Sequence, residues 1–575
     1  MKKPMALLLA LCLLLGALPL ALAEDERPME RADYLTYLMD LDTTTDALTP
    51  LYYFDGVADL PWISAEDMCD LVSSIATEAL RMEGLALDYS LEGHVATLTR
   101  ETKYTMTIDF DADTVTFDDF NAFLSAPTEG TLLDPMPYVG DGEDGMPQLF
   151  RRDMEASFDR YGEEIVLDLA ERDIHLIFQD GRGFIPLQFM NDFLLEPLAC
   201  VTAQCNGEAL YVISAEALED ENGLTPLGEK YYSVQPAERS QALANYGYNE
   251  LCLMLDSLYG LKEKHNIQSF ADLFRQVAFD EDLRTPDPGV ADMALTGFIR
   301  FFLDDSHSGF LKSGWMAGNV FLEGQNGPSH EFILSQMDQY GKLRTDALGE
   351  DFAPYLEVGN TAYITFDRFA ADYSPQEYFD SLESGESVPD TIGLIIDASR
   401  QINRENSPIE NVVIDLTHNG GGDVDAAMFL ASWILGKAEL SIADAFTHAQ
   451  STMVYRADVN LDHEFTEADT LAGRHVYCLI SPASFSCGNL VPSMCKKNQA
   501  ITLIGRTSGG GACIVQPVST AWGTLLQISG PLRLSFRRNG SFYDADQGID
   551  PDIYIDRLET LYDREALTAL INTLH

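Results

Sequence analysis

Positive charge is what this sequence has least of. Its 575 residues hold 36 lysines and arginines against 92 aspartates and glutamates, a formal charge of −56 at pH 7. A surface so poor in cations excludes nucleic-acid phosphates and anionic lipid headgroups as partners. Beyond the first 23 residues no apolar run approaches spanning length, so no stable membrane span is expected once that segment is removed. Cysteine is sparse at 9 residues, and a chain this long needs no disulfide framework; Cys200 and Cys205 are the one pair worth testing. Zinc and iron ligand spacings are missing, so no redox chemistry is expected. The Gly-x-x-x-x-Gly-Lys phosphate loop and the Rossmann glycine spacing are missing too.

What remains is a globular composition, with 46% hydrophobic residues. The start, "MKKPMALLLALCLLLGALPLALAEDERP", reads as a signal peptide over residues 1–23, with Ala21-Leu22-Ala23 as the exit and a mature chain from Glu24. That makes the protein secreted or cell-envelope, outside the cytoplasm. Leu11 before Cys12 argues against a lipoprotein site. Residues 24–130 open with a helical spacing, "ERADYLTYLMDLD", then give a strand, a turn, a helix and alternating strands. Residues 131–235 echo that order in "HLIFQDGRGFIPLQFMNDFLLEPL", so the two stretches read as related α+β modules. Residues 236–350 turn helical, ending in a low-apolar linker from 311, and residues 351–575 alternate strand and helix. Such alternation builds a largely parallel sheet covered by helices.

Two loops of this last region carry chemistry. In "NVVIDLTHNGGGDVD" a buried-type strand runs into Gly420-Gly421-Gly422, whose freed backbone can present N–H groups to an anion or a developing oxyanion. A turn requiring positive φ is the plainer reading of the same glycines. In "HVYCLISPASFSCGNLVPS" a strand leads to Ser486 just ahead of a helix, with Asn489 as the expected N-cap and Pro492 in its first turn. A serine at such an elbow is exposed as a nucleophile, and the N–H of Cys487 stands ready as an oxyanion donor. Ser484 is the rival nucleophile. His307 and His418 are the candidate bases, one at a helix end and one beside the glycines. Ser493 and Lys496 keep a Ser-x-x-Lys spacing, but the companion motifs of that class are missing.

A third loop, "DVNLDHEFTEAD", sets Asp458, Asn460, Asp462, Glu464 (through its carbonyl), Thr466 and Asp469 at the ligand positions of an EF-hand-like calcium loop. His463 holds the sixth place, where glycine is favoured. Structural calcium and an acidic surface turn are both open readings, and catalysis requires no cofactor in either.

The ordered set "LDDSHSGF", "NTAYITFDRF", "NVVIDLTHNGGG", "SPASFSCGN", "IGRTSGGGA" and "GIDPDI" resembles the carboxyl-terminal processing (tail-specific) protease family. The resemblance implies an α/β fold: a Clp protease/crotonase-like catalytic core over residues 351–575 with a helical subdomain, preceded by α+β N-terminal modules. Those modules resemble the copper amine oxidase N-terminal-like type, with no copper site implied. The tail-specific members use a Ser-Lys dyad, but the lysine position falls here on Gly511. The chain instead resembles the tricorn core protease branch, in which a Ser-His pair serves the nucleophile; Ser306-His307 matches it, which puts His307 ahead of His418. The family places the acid just upstream of Gly548-Ile549-Asp550-Pro551-Asp552, at Asp546 or Asp544. Asp304 and Asp305 stand nearer in sequence, where helix-end capping explains them. No PDZ module is evident. The implied activity is serine endopeptidase action on exported proteins and peptides; an inactive binding protein of the same fold and a non-peptide serine hydrolase are the rivals.

Overall fold

Tyrosine-rich segments with helical spacing can still be claimed by a neighbouring strand, and the N-terminal stretch shows it. In the computed structural model, which describes residues 27–575 except 45–47, 80–84, 125–130, 135, 137–146, 154–156, 236 and 320–326, "MERADY" and "TYL" are strands rather than a helix. Met29–Tyr34 pairs antiparallel with Thr49–Phe54, and Thr36–Leu38 runs parallel to Leu210–Ile213. Thr36 and Leu38 point inward with Tyr37 between them, a period of two that the pairing selects. The expected leader, residues 1–23, lies outside the described residues.

The boundary expected at residue 130 is crossed by the sheets. One five-stranded sheet orders Met29–Tyr34, Thr49–Phe54, Trp62–Ser64, Arg182–Pro186 and Ile177–Gln179; another adds Ile165–Asp168 to the four strands between Leu87 and Phe117. Each half thus completes the other's sheet, because a lone pair of strands buries too little to stand by itself. Phe150–Arg152 and Ser157–Arg160 pair with Gln450–Ala457 of the C-terminal region.

The helical stretch holds Gln241–Leu258, capped by Ser240, and Pro288–Phe298, capped by Asp287. A π-turn, Ile299–Leu303, follows and ends at Asp304 with φ 41°. Within the expected linker, Pro328–Leu348 is a 21-residue helix. Its buried residues are Ile333, Tyr340 and Arg344, too few to print an apolar stripe on the sequence. Among the described residues no helix is long and apolar enough to cross a membrane.

Residues 355–554 form a six-stranded sheet ordered Tyr355–Val358, Thr361–Thr365, Asn411–Asp415, His475–Ile480, Thr502–Gly505 and Ile553–Tyr554, parallel except for its first hairpin. Val412, Ile414 and Ile480 face Met428, Leu430 and Val491 of the helices Val424–Leu435 and Cys487–Lys497. Val413, Leu479 and Ile504 face Tyr340, Tyr562 and Leu567 on the other side. Burial on both faces explains the continuous apolar runs, each fully buried side chain contributing roughly 1.5–3 kcal/mol. A second sheet of seven strands is wholly antiparallel, and in it Gly309–Lys312 pairs with Leu525–Ser535, Gly309 opposite Gln527. That pairing carries the residue two before Gly309, His307, from the helical stretch onto the C-terminal region.

Candidate active site

The elbow after His475–Ile480 is fixed by hydroxyls and carbonyls. Ser481 Oγ donates to Thr417 O at 2.6 Å and Ser484 Oγ to Leu416 O at 2.6 Å, while Ser484 Oγ accepts the Ser481 N–H at 2.9 Å. Ser484 is fully buried, which removes it as a nucleophile. Phe485 N–H donates to Asn419 O at 3.1 Å and Ser486 N–H to Gly510 O at 2.8 Å, so the elbow is held between the two glycine loops. Ser486 takes φ 55° and ψ −122°, a conformation that costs on the order of 1–3 kcal/mol for a residue with a Cβ. A Cβ at Gly421, itself at φ 108°, would lie 2.6 Å from Ser486 Cβ, so only glycine fits there.

The helix begins at Cys487, directly after the strained serine, and not after Asn489; Pro492 is therefore in its interior. Asn489 is instead a tie between loops. Its Nδ2 donates to Ala545 O at 2.8 Å and its Oδ1 accepts Ser508 Oγ at 2.7 Å. Cys487 N–H and Gly420 N–H have no partner among the described residues, whereas Gly421 N–H donates to Asn419 Oδ1 at 3.0 Å. Of the two candidate glycines, Gly420 thus keeps a free donor. The Cys487 thiol donates to Gly422 O at 3.2 Å, and burial pushes it up to about 12.

The His307 ring lies against Phe485, the residue before Ser486, with centroids 4.6 Å apart. A Cβ on Gly511 would come within 2.6 Å of the Phe485 ring and 3.1 Å of His307 Cε1, at φ 82°. A lysine at that position would need the space the imidazole fills. Asp305 anchors the histidine loop: its Oδ1 accepts the N–H of His307 at 3.0 Å and of Ser308 at 2.8 Å, together with Ser529 Oγ at 2.8 Å. Tyr259 donates to its Oδ2 at 2.7 Å. Burial drives the His307 imidazole below the ordinary histidine range, opposed by the charges of Asp305 and then Asp546. Among the described residues neither the imidazole nitrogens nor Ser486 Oγ is engaged in a hydrogen bond. Ser306 contributes its carbonyl to His330 Nδ1 at 2.9 Å.

His418 is engaged elsewhere. Its Nδ1 lies 3.1 Å from Asp367, which also takes a fork from Arg344 and, against the partial desolvation of its half-exposed carboxyl, is held down to about 2 by these two partners. Asp546 accepts Ala512 N–H at 3.0 Å and forms an ion pair with Lys264; Asp544 is bound to Arg533 at 2.7 Å. Asp304 takes the Ser329 N–H at 2.8 Å, the capping role expected of it. Ser493 faces Asn489 at 3.3 Å, and Lys496 reaches Asp552 at 3.0 Å, so that pair does no joint work. Lys264 is the neighbour that sequence reasoning missed, while Asp305, read from sequence as a helix-end cap, anchors the histidine loop instead. Lys264 is one of two lysines in "LKEKH", with nothing to single it out.

In the calcium-like loop, Asp458 accepts the N–H groups of Asp462 and His463 at 3.1 and 2.8 Å, and Asp469 those of Val459, Asn460 and Thr466. His463 adopts φ 65° in glycine's stead and stacks on Phe379 at 4.5 Å. Asn460 and Glu464 turn to Asp462. No group of three or more His, Cys, Asp or Glu is disposed to hold a metal among the described residues. Cys200 and Cys205 are unbridged.

Residues 360–555 match the model of peptidase family S41. The match spans about a third of the chain, and this part is similar to an S41 peptidase domain. Ser486, both glycine loops and Asp546 lie within it; His307 reaches it from outside. The fold is the α/β class expected, with a Clp protease/crotonase-like core behind α+β N-terminal segments. Solved structures of similar shape include a protein of Parabacteroides merdae ATCC 43184 (15% identity, 58% of this chain and 96% of that one, TM-score 0.39). Mature CPAF follows at 12% identity, 58% and 96% coverage and TM-score 0.35. A photosystem II D1 C-terminal processing protease shares 16% identity over 38% of this chain and 49% of its own, TM-score 0.26. These likenesses are distant. No curated protein matches the chain.

Proposed function

We propose that the chain is a secreted serine endopeptidase that cleaves exported proteins by a Ser-His mechanism. The observation that carries this reading is the strained Ser486 at the strand-to-helix elbow, with the His307 ring packed on the adjacent Phe485. Ser486 Oγ attacks the peptide carbonyl while His307 takes its proton; the carbonyl oxygen becomes an oxyanion met by the N–H groups of Gly420 and Cys487. Collapse expels the amine, which leaves with the proton from His307. Water then repeats the cycle on the acyl-enzyme. The half-buried imidazole, whose desolvation favours the uncharged form, suits the role of acceptor. Gly511 leaves no seat for a lysine, which favours the histidine over a Ser-Lys dyad. Asp546, whose charge favours the protonated imidazole, is the acid in this reading, and Ser306 holds the loop through its carbonyl. Export rests on the leader-like residues 1–23.

Casein hydrolysis by the mature chain, with fluorophosphonate labelling alongside, tests the reading. Cleavage and labelling that both vanish in Ser486→Ala, and cleavage that vanishes in His307→Ala, are expected. No labelling of the wild type would make the protein a non-catalytic binder, and labelling without cleavage would make it a hydrolase of another substrate.

A further inference from the structure

The loop that carries Asp546 is pinned on both sides by one buried side chain. Asn489, one turn after Ser486 in the helix Cys487–Lys497, donates from Nδ2 to Ala545 O at 2.8 Å, on the residue just before Asp546. Its Oδ1 accepts Ser508 Oγ at 2.7 Å, and that same Ser508 Oγ accepts the N–H of Ile549, three residues after Asp546, at 2.7 Å. Ser508 also opens the glycine loop, whose Gly510 O takes the Ser486 N–H at 2.8 Å. Between the two pins the Asp546 carbonyl accepts Gly511 N–H at 3.1 Å, and its Oδ1 accepts Ala512 N–H at 3.0 Å. A Cβ at Gly510 would come within 2.1 Å of Asp546 O and one at Gly511 within 3.1 Å of His307 Cε1, so the acid loop, the glycine loop and the imidazole lie one against the next. A single side chain on the nucleophile's own helix therefore reaches both ends of the segment that brings the acid to the base.

We propose that Asn489 is a positioning residue for catalysis: through Ala545 and Ser508 it fixes the Asp546 loop, and the acid with it, against the helix that presents Ser486. Asparagine suits this place because its side chain offers a donor and an acceptor at once and carries no charge. It can bind a carbonyl and a hydroxyl without adding to the field of the site. At 0% exposure Asn489 touches no substrate, so its part is played through alignment alone. This rests on the reading of Ser486, His307 and Asp546 as nucleophile, base and acid.

The charged and titratable groups facing the His307 ring are Asp305, Asp546 with its partner Lys264, and His330; of these, Asp546 stands on the loop that Asn489 holds. Asn489→Leu keeps the branched shape without its polar atoms and frees that loop, and an acid that drifts away supports the imidazolium less. His307 should then titrate at lower pH, and kcat should fall by about 10–10²-fold with KM unchanged, the mark of a misplaced group rather than a lost substrate contact. Ser508→Ala cuts the far pin only and should give the same signs with a smaller fall. The deciding measurement is a cycle with Asp546→Asn, read by kcat and KM on casein and by NMR titration of the His307 Cε1–H resonance in the full mature chain. In the Asp546→Asn background, Asn489→Leu should add nothing to either readout, because no charge is left to position. A merely structural role makes the two losses multiply. Multiplied losses, or an unmoved titration in Asn489→Leu, overturn the proposal. If Asn489→Leu does not fold, Ser508→Ala decides by the same cycle. A wild type that cleaves nothing refutes the peptidase reading, while the titration cycle still judges this one.

Discussion

Two buried polar regions of this molecule are built on opposite terms. At the elbow, Ser481, Ser484, Asn489 and Ser508 are all buried, and each side chain is matched to a carbonyl, amide or hydroxyl. Where the helical turns around Asp192 meet Gln241–Leu258, three carboxyl groups, Asp192, Glu196 and Glu250, are equally buried. Gln188 donates to Asp192 at 2.7 Å and Ser519 to Glu196 at 2.6 Å, but among the described residues no other group donates to the remaining four carboxyl oxygens, and Asp192 and Glu250 can bond each other only by sharing a proton. Neutral hydroxyls and amides can be paired at any pH, whereas clustered carboxyls in an apolar junction persist only by holding protons. The elbow is thus indifferent to pH and the junction is not. Burial raises Glu250 to about 8, and desolvation with its neighbours' charges raises Asp192 and Glu196 as well.

The contrast can be broken most sharply at the elbow. Ser486→Ala should lower kcat/KM by about 10⁴-fold or more with an unchanged melting temperature, measured on casein and by thermal unfolding. Ser484→Ala should do the reverse: it keeps the nucleophile but leaves Ser481 N–H unpaired and Leu416 O with Asn419 N–H alone, costing about 1–3 kcal/mol in denaturant unfolding. Equal loss of turnover in both variants would undo the distinction between them. At the junction, a folded-state value for Glu250 above the unfolded 4.5 means a stabilisation complete below that pH and lost as pH rises through about 8. The melting temperature of the wild type should therefore fall by a few degrees between pH 5 and 8.5, and Glu250→Gln, which cannot ionise, should flatten that fall. The smallest effect lies in the rate profile. Because burial lowers the His307 titration, the acid limb of kcat/KM should sit below the ordinary histidine range, and a limb above it would name another base.

The same contrast explains what could be read from residues alone. Ser486 was legible because a strand, small residues and a helix follow one another in sequence, and Gly420 because glycines after a strand have a stated use. Asn489 misled as a cap because nothing local shows that the helix starts on a strained serine. The strands at Met29–Tyr34 and Thr36–Leu38 looked helical because their partners lie far along the chain, and the split expected at residue 130 failed for the same reason. Lys264 was invisible, since its meeting with Asp546 spans more than two hundred residues, and Asp305 was read only as a cap because its contact with Ser529 spans as many.

The pairing of Gly309–Lys312 with Leu525–Ser535 also sets when the protein can first act. A chain emerging from the ribosome has made its histidine more than two hundred residues before the strand that seats it on the C-terminal region, and its serine about forty residues before. Until that late segment is synthesised and docked, nothing holds the histidine loop and the serine elbow in one place.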